Sequence, residues 1–521
     1  MERYFNTSGP CNAKLHYMVN LQGRLKEIKR MIDKGEYFVI RKARQYGKTT
    51  MLKALKEYLH TDYHVLSLDF QSLSHTDFES EASFFRAFAR EVFFAAEMEN
   101  FISEKIKEDL KNLTRKKDSE AKLAFLFQWI RALCKESKKT VILMIDEVDS
   151  ASNYQVFLDF LAQMRLLYIH KDDYKVFQSV ILAGVYDIKN LKQKIREDKE
   201  YRRNSPWNIA APFKISMSFS LEEIACMLKE YEMEHNTNMD IMKMAQLLYD
   251  YTSGYPYLVS RICQIIVEDN YAVWTKESFL KSVKTLLSES TTLFDSFISK
   301  LYDYPKLKKM LYFLIFCGKS ISYSPDEEAI DIVVMFGFVK EKNGNAVIHN
   351  RIFETRLYNL FLTSSEAQDT DIYDAALLDK NQFVKNGSLD MEHILERFVV
   401  HFHDLYGECS KQFIEEDGRK YFLLYLRPII NGRGHYYIEA ETRNQECTDI
   451  IVDYNGEQFI IELKIWHGNV YKEQREEQLC NYLKHYHLKK GYLLSFNFNK
   501  KKEIGIQHKK IGEYLLIEAV V

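Results

Sequence analysis

Three consecutive residues near the start of the sequence, Gly47-Lys48-Thr49, have the types and order of a loop that binds phosphate. A short apolar run (residues 36–40) precedes them, and a helical pattern begins at Thr49. In such a strand–loop–helix unit, backbone N–H groups and the positive end of the helix hold the phosphates. The lysine reaches the β- and γ-phosphates, and the hydroxyl binds Mg²⁺. We therefore expect ATP to contact Arg44, Gln45, Tyr46, Gly47, Lys48, Thr49 and Thr50.

Lys42 stands where this kind of loop commonly opens with glycine. A glycine there mainly permits a tight turn of the backbone. The phosphate and magnesium contacts come from the later residues, which are all present. The substitution therefore affects the expected shape of the loop more than its expected ligand.

A pair of carboxylates, Asp146-Glu147, ends the apolar run of residues 140–146. Ligands of open α/β sheets bind at the carboxyl ends of the strands. We expect Asp146 to hold Mg²⁺ together with Thr49, and Glu147 to polarise the attacking water. For an isolated Asp-Glu pair, the alternative is an ordinary solvated strand end.

A second group of chemically suitable residues lies near the C-terminus, around Asn455-Gly456, a pair that favours a two-residue hairpin. This turn places Asp449 directly opposite Glu462, with Lys464 two residues further on the same face. A divalent cation would compensate the opposed carboxylates. Lys464 could position or deprotonate a water, or stabilise charge on a phosphorane. The alternative, a half-exposed hairpin with a salt-bridged face, does not explain a lysine inside the apolar run IIELKIW.

The elements that must position these residues follow from the apolar patterns. Buried strand patterns alternate with helical ones, which predicts a parallel α/β sheet. From 219 to 290 the pattern is helical, and residues 305–362 add two helical segments and a hairpin signal at Asn343-Gly344, which suggests a winged helix. The expected strands are 36–40, 63–70, 140–146, 178–185 and 491–497, and the expected helices are 49–60, 82–99, 120–136, 220–233, 239–251, 390–407 and 471–487.

Bulk composition limits the remaining function classes. The chain has 521 residues, enough for several domains, and a net charge of −2, so any surface that binds nucleic acid must be local. Its 8 cysteines are scattered without a CxxC pair, which favours free thiols over a zinc site. No signal peptide and no membrane span are apparent. We expect a cytoplasmic protein.

The N-terminal motifs resemble those of P-loop ATPases of the AAA and STAND groups. SVILAGVYD is similar to their sensor-1 strand, with Tyr186 or Asp187 at its end, and Gly254 and Pro256 match the GxP motif of the STAND lid. Residues 3–363 resemble predicted AAA-like ATPases of bacteria and archaea, in which the first loop glycine is often missing. Within YRRNSPWNI, Arg202 and Arg203 are candidates for an arginine finger, and two solvated arginines are the alternative.

The C-terminal pattern Asp449…Glu462-Leu463-Lys464 resembles the D…ExK signature of PD-(D/E)XK nucleases. Gln478 and Tyr482, four residues apart, match the QxxxY motif of the RecB-like branch. That branch implies a further metal ligand at Glu396, for which a solvated helix glutamate is the alternative. Residues 385–500 are similar to the nuclease-like domain that often follows the AAA-like ATPase.

Together these observations predict an α/β protein that joins a P-loop ATPase sheet to a PD-(D/E)XK nuclease-like domain. We expect ATP- and Mg²⁺-dependent cleavage of nucleic acid, DNA rather than RNA, with the oligomeric state open between a monomer and a homo-oligomer. The alternative is an ATP-dependent signalling or interaction switch whose nuclease-like domain only binds. The expected domains are the ATPase core (1–215), a helical lid (216–295), the winged helix (296–363), a linker (364–384) and the nuclease-like domain (385–521).

Overall fold

The chain forms two compact units. The first unit consists of Met1–Phe219, Tyr255–Tyr257 and Met335–Gly337, and the second unit comprises the remaining residues. The structure is a computed structural model that describes residues 2–99, 103–118, 120–185, 207–269, 272–316, 321–324, 327–363, 370–379, 382–385, 387–406, 415–430, 434–441, 447–465, 469–499 and 502–521.

Among the described residues, the first unit is built on a parallel sheet of four strands in the order β1-β4-β3-β2. Strands β3 and β4 are buried along their whole length, because helices cover a parallel sheet on both faces. Ala211 pairs with Phe38 beyond β1 and extends the sheet by one bridge. The elements are α1 Gln22–Asp33, β1 Phe38–Arg41, α2 Lys48–Leu59, β2 His64–Asp69, α3 Glu81–Glu99, α4 Glu104–Thr114, α5 Leu123–Glu136, β3 Val141–Asp146, α6 Gln155–Ile169 and β4 Ser179–Gly184.

The second unit begins with helices. A capping box of Ser220 and Glu223 starts the first of them. The predicted hairpin at Asn343-Gly344 is confirmed, since both residues have positive φ and the flanking strands pair antiparallel. The winged helix stays a prediction. The elements are α7 Leu221–His235, α8 Ile241–Thr252, α9 Pro256–Asp269, α10 Lys276–Ser288, α11 Thr292–Asp303, α12 Pro305–Phe316, β5 Ile321–Ser322, α13 Glu328–Met335, β6 Val339–Lys342, β7 Asn345–Ile348 and α14 Arg351–Leu362.

The rest of the second unit contains a mixed sheet, which in the described part of the chain has six strands in the order β10-β11-β12-β13-β15-β14. Within the stretch interpreted as a linker, the structure has a helix, Asp371–Asp379, whose last residue accepts hydrogen bonds from Arg397 and Tyr425. The domain boundaries stay predictions. The elements are α15 Asp371–Asp379, β8 Val384–Lys385, β9 Ser388–Leu389, α16 Met391–Tyr406, α17 Glu415–Ile430, β10 Gly434–Glu441, β11 Cys447–Tyr454, β12 Glu457–Ile465, α18 Asn469–His485, β13 Lys490–Phe496, β14 Gly505–Ile511 and β15 Tyr514–Val520.

The two faces of this mixed sheet are covered by different helices. On β13, Gly491 lies so close to Leu479 and Leu483 of α18 that an added Cβ would come within 3.2 Å of both. The ring of Phe496 instead packs on Phe402 of α16, with ring centroids 5.3 Å apart. Because successive residues of a strand point to opposite faces, α18 covers one face and α16 the other. No helix among the described residues is both long and apolar enough to cross a membrane.

Candidate nucleotide and nuclease sites

The predicted phosphate loop joins the end of β1 to the start of α2. Gly47 caps α2 with a left-handed φ of 80°, a conformation that glycine adopts without steric cost. No described atom would lie within 4 Å of a Cβ added there, so the space beside the helix N-terminus is open. The loop therefore leaves the N-terminus of α2 open at the carboxyl end of the sheet.

Lys42 fits the loop without strain. Its φ is not among the positive values of the described residues, so its position does not require glycine. Its backbone N–H donates to Gly184 O at 3.2 Å, which ties the loop to the end of β4. Its ammonium lies over the ring of Tyr46, 5.8 Å from the centroid, and burial lowers the pKa of Lys42.

Lys48 is buried, with 6% of its surface exposed, and its ammonium donates to the carbonyl oxygens of Lys42 and Ala43, both at 3.1 Å. Burial lowers the pKa of Lys48, and the neighbouring carboxylates of Glu147 and Asp146 oppose this effect. The side chain is thus held by neutral acceptors of its own loop. The oxygens of a phosphate could replace these acceptors.

The acidic pair lies where the sequence predicts it, at the carboxyl end of β3. Thr49 Oγ1 donates to Asp146 Oδ2 at 2.7 Å, so the two predicted magnesium ligands are adjacent. The other Asp146 oxygen accepts the backbone N–H of Glu147 at 2.9 Å. Burial, together with the charges of Asp146 and Asp149, raises the pKa of Glu147, and Lys48 opposes this shift.

Sequence reasoning missed Asp149, three residues after Asp146. Its Oδ2 accepts the backbone N–H of Val185 at 2.7 Å, and a Cβ on Gly184 would come within 2.8 Å of its Oδ1. Asp149 therefore joins the end of β4 to the segment after β3. In the sequence, the only sign of this role is that Asp149 is the third acidic residue of the run DEVD.

Other residues predicted to contact ATP have structural partners. Thr50 Oγ1 accepts the backbone N–H of Cys11 at 3.0 Å. Tyr46 is buried, its hydroxyl lies 2.7 Å from Ser218 Oγ, and its ring packs edge-on against Tyr255. Tyr255 OH donates to Arg44 O at 2.7 Å, so the residue between Gly254 and Pro256 contacts the loop. Gln45, like Gly47, has a positive φ. Arg202, Arg203, Tyr186 and Asp187 lie outside the described residues.

The predicted C-terminal hairpin is confirmed residue by residue. Asn455 and Gly456 both have positive φ, and the pairs run from Tyr454 with Glu457 to Ile450 with Ile461. If this register continues by one residue, position 449 lies opposite position 462, as the sequence predicts. The Asp449 side chain lies outside the part that the structure describes. The strand β12 is buried on both faces, in contrast to a half-exposed hairpin.

The sheet face covered by α18 carries the predicted acidic and basic groups. Glu462 has no exposed surface and Lys464 is 1% exposed. Sequence reasoning missed a third member, Glu518 on β15, which is 5% exposed. Its Oε1 lies 3.3 Å from Lys464 Nζ and accepts the hydroxyl of Ser495 at 2.6 Å. Nothing in the D…ExK spacing signals Glu518, because it belongs to a distant strand.

The helix α18 brings the predicted Gln478 and Tyr482 together. Gln478 Nε2 donates to Tyr482 OH at 2.5 Å, and the tyrosine has no exposed surface. Glu396 is placed elsewhere, on α16, which covers the opposite face of the sheet. Its side chain is 60% exposed and lies 3.1 Å from His393 Nδ1, so the structure does not bring it to Glu462. Among the described residues, no cluster of three or more His, Cys, Asp or Glu side chains could hold a metal ion.

Comparison with known proteins agrees with both sets of motifs. The sequence model described as "AAA-like domain" matches residues 9–363, more than half of the chain. The chain belongs to this AAA-like family. The model of the PD-(D/E)XK nuclease superfamily matches residues 435–508. An ATPase-like region is therefore fused to a nuclease-superfamily region, and both fold predictions are confirmed. No curated protein matches the sequence.

Several solved structures are similar to this chain at low identity. A Walker-type ATPase of Pyrococcus abyssi is 12% identical with a TM-score of 0.49, covering 68% of this chain and 99% of its own. The ORC2 protein of Aeropyrum pernix is 11% identical with a TM-score of 0.36, covering 66% and 95%. A RuvB protein of Thermotoga maritima is 12% identical with a TM-score of 0.32, covering 63% and 92%.

Proposed function

We propose that this protein binds and hydrolyses ATP and carries a metal-dependent nuclease that cleaves phosphodiesters of nucleic acid, DNA rather than RNA. The observation that carries the nuclease proposal is the buried polar face on which Glu462 lies two residues from Lys464 on β12. Burying charges without compensation is costly, and stability alone does not require them in a strand. The match of residues 435–508 to the nuclease superfamily supports the same function.

The donor set of this face fits a divalent cation. Glu462 supplies a fully buried carboxylate, and carboxylate oxygens are the ligands that Mg²⁺ prefers. Asp449 and Glu462 would hold the ion, which would supply an activated water and neutralise charge on the phosphate. The Lys464 ammonium would stabilise negative charge that develops on the phosphate oxygens. Gln478 and Tyr482, joined by their hydrogen bond, would orient the substrate beneath α18.

The N-terminal loop fits ATP and Mg²⁺ equally well. Lys48 would exchange its two carbonyl acceptors for phosphate oxygens. Thr49 and Asp146 would hold the ion, which supplies charge neutralisation at the phosphates. Glu147 would polarise the attacking water. Arg203 remains a proposed arginine finger.

Contacts on both sides of the Gly254 turn support control of the nuclease by ATP. In the first unit, Tyr255 donates to the phosphate loop at Arg44 O. In the second unit, the ring of Tyr251 lies 5.1 Å beneath the buried guanidinium of Arg351, whose NH1 reaches Tyr486 OH at 3.5 Å, just beyond α18. Tyr251 and Tyr255 are four residues apart, so a shift of the phosphate loop would be transmitted along the chain to α8. This helix packs on α14, which in turn packs on β10.

The nuclease proposal is tested with purified protein, plasmid DNA and Mg²⁺ or Mn²⁺, with and without ATP. Lys464→Met, which removes the charge and keeps most of the volume, should abolish cleavage while the circular dichroism spectrum stays that of the wild type. Lys484→Met on the exposed side of α18 is the matched control and should cut normally. Cleavage at the wild-type rate by Lys464→Met would contradict the proposed role of Lys464 in the nuclease. If the wild type binds DNA without cleaving it, the interaction switch is favoured instead.

The nucleotide proposal is tested by calorimetry on Lys48→Ala. The variant should lose measurable ATP affinity because the ammonium is the main charged contact to the phosphates. Lys53→Ala, one turn further along α2 and exposed, is the control. Unchanged affinity in Lys48→Ala refutes the proposed site.

A further inference from the structure

We propose that Glu518 is a positioning residue of the nuclease site, which holds the Lys464 ammonium where the reaction needs it. This inference rests on the proposed nuclease function and extends it to a residue outside the D…ExK signature. Glu518 also lies outside residues 435–508, which match the nuclease superfamily. The assignment depends on the arrangement of three neighbouring strands.

The register of β12, β13 and β15 places the groups on one face. Glu462, Leu493 and Glu518 are paired across these three parallel strands and form one row. Lys464 and Ser495 form the next row on the same face, because residues two apart in a strand point to the same side. Lys464 therefore reaches diagonally across β13 to meet Glu518, with Nζ and Oε1 3.3 Å apart.

The direction of Glu518 is itself fixed. Ser495 Oγ donates to the same Oε1 at 2.6 Å, in a bond where both atoms are buried. One carboxylate oxygen therefore accepts the hydroxyl from β13 and forms the ion pair with the ammonium from β12. Since Ser495 belongs to the strand between the two, this oxygen has little freedom to move relative to the sheet.

Lys464 needs such a partner for a physical reason. A lysine side chain has four rotatable carbons and loses much rotamer entropy when held in one place. At 1% exposure its ammonium receives little help from water, and a fixed opposite charge compensates for this. An ion pair across β13 defines where the ammonium stands beside Glu462. A displacement of about 1 Å in such a group can lower a rate on the order of 100-fold.

The decisive variant is Glu518→Gln, which keeps the shape of the side chain and removes its charge. With plasmid as substrate, kcat should fall by about 10- to 100-fold while KM stays unchanged, because substrate contacts are retained. Glu518→Asp keeps the charge and should recover a large part of kcat. Glu513→Gln, in the exposed turn between β14 and β15, is the control and should match the wild type.

A second measurement reads the ion pair without any cleavage. Melting temperatures of Glu518→Gln, Lys464→Met and the double variant form a double-mutant cycle. The double variant should lose less than the two single losses together, because each single change removes the opposite charge with which the other buried group is paired.

Each result decides one point. Additive melting losses overturn the ion pair, whatever the activity. Coupled losses with an unchanged kcat in Glu518→Gln show a purely structural contact and overturn the positioning role. The positioning role is established if the melting losses are coupled and the reduced kcat of Glu518→Gln is largely restored in Glu518→Asp. A wild-type protein that cuts no nucleic acid with Mg²⁺ or Mn²⁺ refutes the proposed function, and with it this role, while the melting data still report the contact.

Discussion

Two buried lysines, Lys48 and Lys464, occupy the two candidate sites and are held in opposite ways. Lys48 stands at the start of a helix, and its ammonium is bound by neutral carbonyl oxygens of its own loop. Lys464 stands within a strand, and its ammonium meets a carboxylate two strands away. The first set of partners can be exchanged when an anion arrives, whereas the second is a fixed counter-charge.

The comparison shows how position in the fold suits a lysine to its task. A loop lysine bound only by neutral carbonyl oxygens can exchange them for phosphate oxygens. This suits a site that alternates between empty and occupied states. A strand lysine paired with a carboxylate keeps its position. This suits a group that must be aligned before substrate binds. The following variants test this difference.

The largest expected difference is in stability without any ligand. Lys464→Ala removes the ammonium that is paired with the buried carboxylate of Glu518, and we expect a loss of about 3–5 kcal/mol in the free energy of unfolding. Lys48→Ala should cost less, about 1–3 kcal/mol, because the acceptors it leaves, the carbonyl oxygens of Lys42 and Ala43, carry no net charge. Urea denaturation followed by circular dichroism gives both values. Equal losses would remove the distinction between the two lysines.

Stabilisation of the protein by ATP should depend on Lys48 and not on Lys464. At an ATP concentration 100 times Kd, ligand linkage contributes about 2.7 kcal/mol to the stability of the part that binds. We expect a corresponding rise in melting temperature for the wild type and for Lys464→Met, and none for Lys48→Ala. A calorimetric scan with ATP and Mg²⁺ measures it. Loss of the rise in Lys464→Met would contradict independent binding of nucleotide.

Gly337 lies far from the phosphate loop in sequence, but its substitution should weaken the binding of ATP at Lys48. A Cβ at Gly337 would come within 2.8 Å of Ala43 Cβ, and the φ there is +72°. We expect Gly337→Ala to displace the loop and weaken ATP binding by about 1–3 kcal/mol, measured by calorimetry. Gly344→Ala is a matched control, since its φ is +79° with no described atom within 4 Å of the added Cβ. Weaker ATP binding in both variants would point to backbone strain instead of the Ala43 contact.

The smallest expected effect belongs to a single hydroxyl. Tyr255→Phe removes the hydrogen bond to Arg44 O and keeps the ring against Tyr46. We expect ATP affinity to change by about 1 kcal/mol, roughly fivefold, measured by titration calorimetry. Tyr249→Phe, an exposed position on α8, should leave it unchanged. An unchanged affinity in Tyr255→Phe would mean that the loop does not depend on this contact.

Most of the correct predictions of structure depended on the spacing of residues that are close together in the sequence. Gly47, Lys48 and Thr49 are consecutive, and the Asn455-Gly456 turn fixes the register from Ile450 to Tyr454 by itself. Glu518 could not be found this way, because its proximity to Lys464 depends on the order of three strands. Sequence also predicted the helix of Glu396 without indicating the side of the sheet on which it packs.

The same limit applies in the nucleotide region. Tyr46 belongs to the loop by spacing, yet its surroundings depend on Ser218 and Tyr255, which lie far along the chain. Asp149 was not singled out from the sequence, because its role depends on its hydrogen bond with the backbone N–H of Val185. Residues whose placement depends on neighbours in sequence were predicted, and those whose placement depends on packing between distant segments were missed.

The strand order of the mixed sheet also has a consequence for synthesis in the cell. Glu518 follows Lys464 by 54 positions, and β13 lies between their strands in the sheet. At roughly 5–20 residues per second, the ribosome needs several more seconds after Lys464 to supply this partner. Domains nearer the N-terminus can fold first during that time. On the proposed function, the nucleotide-binding region is therefore in place before the nuclease site is assembled, and a nascent chain does not cut before its ATPase region exists.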